Sequence, residues 1–178
     1  MKKSHIVYKL VAAVMLAAMV SCSTTEAPSN RAAKIFEADL VKAQAGDAEA
    51  QEDVAYAYMN GKGVEKDIQE AEKWYRKAAE QGYLKAQISL MELYGMNGEL
   101  ANENPEECVY WARKVYHAPN ATDFDKVYSG NTLHRCYDKG YGVEKNPEKA
   151  AEWKAKYLAD YQRDLRNHRR KLKQNKKN

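Results

Sequence analysis

The spacing of apolar residues changes character along the chain. Near the start, Leu10–Val20 (LVAAVMLAAMV) is an unbroken apolar run of 11 residues behind the positive segment Met1–Lys9. At about 1.5 Å of helical rise per residue, that run is too short for a hydrocarbon core of about 30 Å. Further on, apolar residues recur every three or four positions. Ala50, Val54, Ala57 and Tyr58 share one helical face, as do Ala86, Leu90, Leu93 and Tyr94. Trp153, Tyr157, Tyr161, Leu165, His168 and Leu172 form one stripe, predicting a final helix from Pro147 to the early 170s. Helix starts are marked by Asp67 with Glu70 three residues on, and by Asn104-Pro105 and Asn146-Pro147. Gly82 marks a helix end.

These helical segments repeat. Gly61-Lys62-Gly63-Val64-Glu65-Lys66-Asp67 returns 79 residues later as Gly140-Tyr141-Gly142-Val143-Glu144-Lys145-Asn146. Ala50-Gln51 returns 36 residues later as Ala86-Gln87, and Trp74, Trp111 and Trp153 stand 37 and 42 residues apart. Three units follow, each read as helix A, glycine turn, helix B. A single unit of this size cannot bury its own apolar face, so about three are needed for a stable stack. Small Ala residues let A and B helices approach, and the three Trp would fill the space between them.

The first unit carries Ala50-Gln51, Val54-Ala55, Tyr58, Gly61-x-Gly63-Val64, Asp67, Ala71, Trp74-Tyr75, Ala78-Ala79 and Gly82. This pattern resembles the Sel-one-like repeat, a relative of the tetratricopeptide repeat, over roughly residues 45–158. The second unit has one extra turn residue, with Glu99-Leu100 after Gly98. The third has Ser129-Gly130 where Ala-Gln would stand, and about six residues are inserted near His117–Lys126. The resemblance implies an all-α fold, a short right-handed solenoid with an extended C-terminal helix. Arg31–Ala45 reads as a leading helix, because Ala45-Gly46-Asp47 resembles the end of a preceding B helix. The expected layout is residues 1–21 signal segment, 22–30 polar tether, 31–46 leading helix, 47–158 solenoid and 159–178 basic helical tail.

In tetratricopeptide-type solenoids the A helices line a concave groove. By alignment, the outward positions here are Glu49, Glu52 and Tyr56, then Lys85, Ile88 and Glu92, then Tyr128, Asn131 and Arg135. Tyr mixed with charges suits a peptide or protein partner, and the resemblance implies binding or scaffolding. The alternatives are an accessory subunit of an envelope enzyme, or a protein that contacts polymer or lipid through its basic tail.

Charge narrows the partners. The net charge is +4, but residues 162–178 hold eight Lys/Arg against one acid, and residues 1–9 add three Lys. The body between is therefore acidic and offers no broad face for nucleic acid. A charged start, a short apolar centre and a small-residue exit describe a signal peptide. Met19-Val20-Ser21-Cys22 resembles the bacterial lipobox, with Met where that motif usually has Leu. Cys22 would then be acylated, and the expected location is the bacterial cell envelope, at the outer membrane, with the membrane reached through this lipid. Cys108 and Cys136 align with small interior positions on neighbouring helices, and an exported protein allows a disulfide between them; two buried free thiols are the other reading. His117, His134 and His168 show no metal-ligand spacing. No nucleophile–base set, phosphate loop or paired-carboxylate motif appears, so neither a catalytic residue, a metal nor a cofactor is expected.

Overall fold

Helices begin where a polar side chain can take up a free N–H of the first turn. Asp47 accepts from Ala50 N at 2.8 Å, Asp67 from Glu70 N at 2.9 Å and Asn146 from Lys149 N at 2.9 Å. Thr122 and Asp125 cap each other's backbone N–H reciprocally. Asn104 makes no such bond; Pro105, at the first helical position, fixes φ there instead. The computed structural model describes residues 28–175, which form seven helices and, among the described residues, no strand. They are α1 Pro28–Gln44, α2 Ala48–Asn60, α3 Ile68–Glu80, α4 Leu84–Leu93, α5 Pro105–His117, α6 Asp123–Lys139 and α7 Pro147–Asn175. The apolar run at 10–20 and Cys22 lie outside the described residues, as do residues 176–178.

The substantial contacts all join helices adjacent in the chain, as in a solenoid. Units one, two and three are α2–α3, α4–α5 and α6–α7. Ala71, Ala78, Ala86 and Ala112 are fully buried between helices, and Trp74, Trp111 and Trp153 recur beside them. The helix α1 stands where a B helix would precede unit one. Gln51 Nε2 donates to Ala43 O of α1 at 3.1 Å, and its equivalent Gln87 Nε2 donates to Ala79 O of α3 at 3.1 Å.

The glycine turns serve this stacking. Gly61 and Gly63 have φ of 65° and 75°, and Gly140 and Gly142 have 73° and 64°. A Cβ on Gly63 would lie 2.3 Å from Ala32 O of α1, and one on Gly142 would lie 2.1 Å from Pro105 O of α5. The second glycine of these two turns thus touches the backbone of a preceding helix, α1 for Gly63 and α5 for Gly142. Unit two uses another device. Leu100 is buried in the longer turn, and Tyr141 Oη lies 2.7 Å from Tyr94 O and 2.6 Å from Ala101 O.

Two sequence departures acquire physical reasons. Gly130 replaces the repeat's Gln because any Cβ there would meet Tyr157 Cβ at 2.9 Å and the Tyr116 ring at 3.3 Å. Tyr116 in turn donates to the buried Asp160 at 2.9 Å, and Asp160 also accepts from Arg163 at 2.5 Å. Arg163 and Asn167 bond Asp123 at the start of α6. The side-chain contacts of α7 with the solenoid therefore continue past residue 158, as far as Asn167.

Candidate interaction site

The A helices α2, α4 and α6 carry the residues aligned as outward, and two hollows run along them. Between α2 and α4 lies a space of about 680 Å³, bounded by Glu52, Tyr56, Lys85, Ile88 and Glu92. Between α4 and α6 lies one of about 270 Å³, bounded by Glu92, Tyr128, Asn131 and Arg135. Glu92 belongs to both, so the hollows adjoin. Glu49, exposed at the start of α2, borders neither.

Glu52 does not face outward as expected. Its side chain is 1% exposed, beneath Lys85, whose Nζ donates to Glu52 Oε2 at 2.6 Å. The reason is lateral. Helix α4 packs close enough for its Lys85 to close over α2, leaving the lysine side chain 64% exposed and the carboxylate inside. The hydrogen bond to Glu52 raises the Lys85 pKa against the opposing effect of burial. Lys85 thus caps a buried charge as well as lining the hollow.

The aromatic and charged groups here are held in place. Tyr128 Oη donates to Glu92 Oε1 at 2.8 Å, bridging α6 to α4. Burial, reinforced by this carboxylate, pushes the Tyr128 hydroxyl up to about 12, so it stays a donor at neutral pH. Lys62 donates to Tyr56 Oη at 3.2 Å, with its Nζ 4.5 Å from the ring centre. Arg135 Nη2 reaches Met96 Sδ at 3.7 Å and is otherwise exposed. The surface therefore offers two half-exposed phenol rings, the apolar Ile88, the exposed carboxylates of Glu92 and Glu99, the Lys85 ammonium and the Arg135 guanidinium. Such a set can bind an extended segment with mixed charge and aromatic or aliphatic side chains.

Cys108 and Cys136 form part of the floor of the second hollow. Both are buried free thiols that lie close to one another. Interaction with the Cys136 thiol, with burial, holds the Cys108 thiol above its ordinary range. Interaction with Cys108, helped by Arg135 and opposed by burial, lowers Cys136. Among the described residues no group of His, Cys, Asp and Glu is placed to hold a metal. Alignment missed Asn97 and Gly98, which border both hollows. They sit in the longer turn of unit two, and the extra residue there was the signal that the turn runs differently.

The fold defines a class: an α-solenoid built from helical hairpins. The Sel1 repeat family model matches residues 48–83, 87–115 and 130–153, half of the chain. The chain belongs to the Sel1 repeat family. Among solved structures it is similar to a Sel1 repeat protein from Oxalobacter formigenes, with 27% identity and a TM-score of 0.60. That match covers 74% of this chain and 50% of the other. It also matches c5321, a protective antigen present in uropathogenic Escherichia coli strains displaying an SLR fold, with 27% identity and a TM-score of 0.41. There the match covers 70% of this chain and 33% of the other. The chain thus spans half, or less, of these relatives' length. No curated protein matches it. Sel1 repeats generally mediate protein–protein interaction, and proteins built from them are typically scaffolds without enzymatic activity.

Proposed function

We propose that this chain is a lipid-anchored interaction module of the bacterial envelope, at the outer membrane, binding a protein or peptide segment along its A-helix face. The observation that carries the reading is the pair of adjoining hollows joined at Glu92, in which Tyr56, Ile88, Tyr128, Asn131 and Arg135 converge. The lipobox-like Met19–Cys22 supports the anchor, with Cys22 as its acylated residue. Several acyl chains on one Cys would hold the module at a membrane stably. The work of the module is then to bring a partner to that membrane, with no chemistry of its own.

Two measurements test this. Membrane fractionation of cells carrying the full-length chain or Cys22→Ala addresses the anchor. Wild type should sediment with membranes and the variant should not; equal solubility of both would remove the lipid from the account. Copurification after light crosslinking in intact cells addresses the groove. A discrete partner should be captured by wild type and lost from a Tyr56→Ala, Glu92→Lys double variant. Retention of the partner by that variant would move binding off the A-helix face.

A further inference from the structure

A larger cavity, about 920 Å³, opens elsewhere on the solenoid, between the end of α3, helix α5 and the turn before α7. It shares no lining residue with the A-helix hollows. Val109, Tyr110, Pro119 and Val143 give it apolar walls. Arg113, Lys114 and His117 stand around it, and Glu106 is the one acid that lines it. Arg113 donates to Tyr137 Oη, and Lys114 Nζ lies 5.5 Å from the Tyr110 ring centre. The two cations are therefore oriented by aromatic neighbours, and they outnumber the negative charge.

Gln87 also lines this cavity, and it is only 7% exposed. Its Nε2 donates to Ala79 O at 3.1 Å, which fixes the amide's orientation and leaves Oε1 buried with no donor in the protein. Buried amide oxygens are nearly always paired, because an unpaired one forfeits its hydration without return. Unit one shows how the same position is completed. Gln51 makes the equivalent bond to Ala43 O, and its Oε1 accepts from Gln81 Nε2 at 2.7 Å. Gln81 is the residue that ends α3; the residue that ends α5 is Ala118, which carries no donor. Unit two thus keeps the acceptor of a repeated carboxamide pair and lacks the donor, and the cavity lies beside it.

We propose that this cavity is a second docking site, taking an acidic segment of a protein partner and holding one of its Asn or Gln side chains against Gln87. The chain's own Gln81 is the template for the incoming group: a primary carboxamide whose N–H donates to the buried oxygen. Arg113 and Lys114 supply complementary charge to flanking carboxylates, and Tyr110 and Val143 supply apolar contact. Because Oε1 is itself closed to solvent, entry of the carboxamide requires the cavity wall to open around Gln87. The site is independent of the A-helix face.

The test is fluorescence anisotropy on the full-length chain with two labelled peptides, Asp-Leu-Gln-Leu-Asp and Asp-Leu-Met-Leu-Asp. Met matches Gln closely in size and cannot donate. The Gln peptide is expected to bind about ten-fold more tightly, the worth of one donor to a buried acceptor. Ala118→Gln supplies the donor internally and should abolish that preference while melting no lower than wild type. Lys114→Glu, at an exposed position, should weaken both peptides, and Tyr56→Ala should change neither. Equal binding of the two peptides would overturn the proposal, because the oxygen is then satisfied by water or by rearrangement. So would no binding below about 1 mM, or a preference that survives Ala118→Gln. Loss of binding in Tyr56→Ala would place the peptides on the A-helix face instead.

Discussion

The turns between A and B helices hold two glycines of the same backbone sign and different surroundings, and this separates two causes of their presence. Gly61→Ala and Gly63→Ala both force Ala into φ near +65° to +75°. That left-handed conformation costs about 1–2 kcal/mol for a residue with a Cβ. At Gly61 the added methyl meets nothing closer than 3.6 Å, an ordinary contact. At Gly63 it would lie 2.3 Å from Ala32 O and 2.7 Å from Ala33 N, so α1 must move away from unit one. Overpacking of this kind adds about 1–3 kcal/mol. The expected losses are therefore about 1–2 kcal/mol for Gly61→Ala and about 2–5 kcal/mol for Gly63→Ala. The pair Gly140→Ala and Gly142→Ala should repeat the contrast between units two and three, since Cβ would lie 3.2 Å from Lys145 Cβ in one and 2.1 Å from Pro105 O in the other. Urea unfolding followed by helical circular dichroism measures all four. Equal losses within each pair would refute the reasoning, because the second glycine would then be needed for its φ alone.

The remaining predictions concern the last helix, pH and the thiols. Tyr116→Phe removes a donor from buried Asp160 and should cost about 1–3 kcal/mol in the same unfolding assay. Ending the chain after Asn167 should change stability by less than about 0.5 kcal/mol, because residues 168–175 are all exposed; a large loss would show that the basic end of α7 packs. Tyr94, Tyr116 and Tyr128 are each held at about 12 in the folded chain, against 10.0 for an ordinary phenol. A proton held more tightly by the folded state stabilises it below the lower pKa, and this is lost as pH rises through the higher one. Lys85, also raised, adds in the same direction. Urea midpoints measured from pH 8 upward should therefore hold steady and then fall from about pH 10 to 12; a fall already complete by about pH 9 would contradict the assigned cause. Finally, a small disulfide oxidant such as oxidised glutathione should remove the Cys108 and Cys136 thiols together. The first cysteine displaces one thiol of the oxidant and the second displaces the other, leaving a bridge and two reduced thiols. Labelling in denaturant without reductant should then find neither cysteine reactive, and finding one blocked singly would rule the bridge out.

Much of this architecture is legible in the sequence, because repeats make each residue a comment on its equivalent. The Gly-x-Gly turns, the Trp series and the caps at Asp67 and Asn146 identify helix pairs before any coordinates. Ala45-Gly46-Asp47 marks the end of α1 as resembling the end of a B helix. Lateral distance between helices is not legible in the same way. Glu52 falls on the outward stripe with Glu49 and Tyr56, yet Lys85 from the next A helix closes over it. Gly130 looks like a lapse in the repeat until Tyr116 and Tyr157 are seen to need its space. The cavity at Gln87 depends on what ends α5, and Ala118 becomes meaningful only beside Gln81 and its bond to Gln51.

The central claim is that a partner meets this solenoid on its A-helix face. A photoreactive phenylalanine analogue placed at Tyr56 or Tyr128, and separately at exposed Lys73 on α3, which borders neither the A-helix hollows nor the second cavity, tests it in intact cells under native expression. The account predicts one discrete adduct from both tyrosine positions and none from Lys73. An adduct from Lys73 with none from Tyr56 or Tyr128 would contradict it.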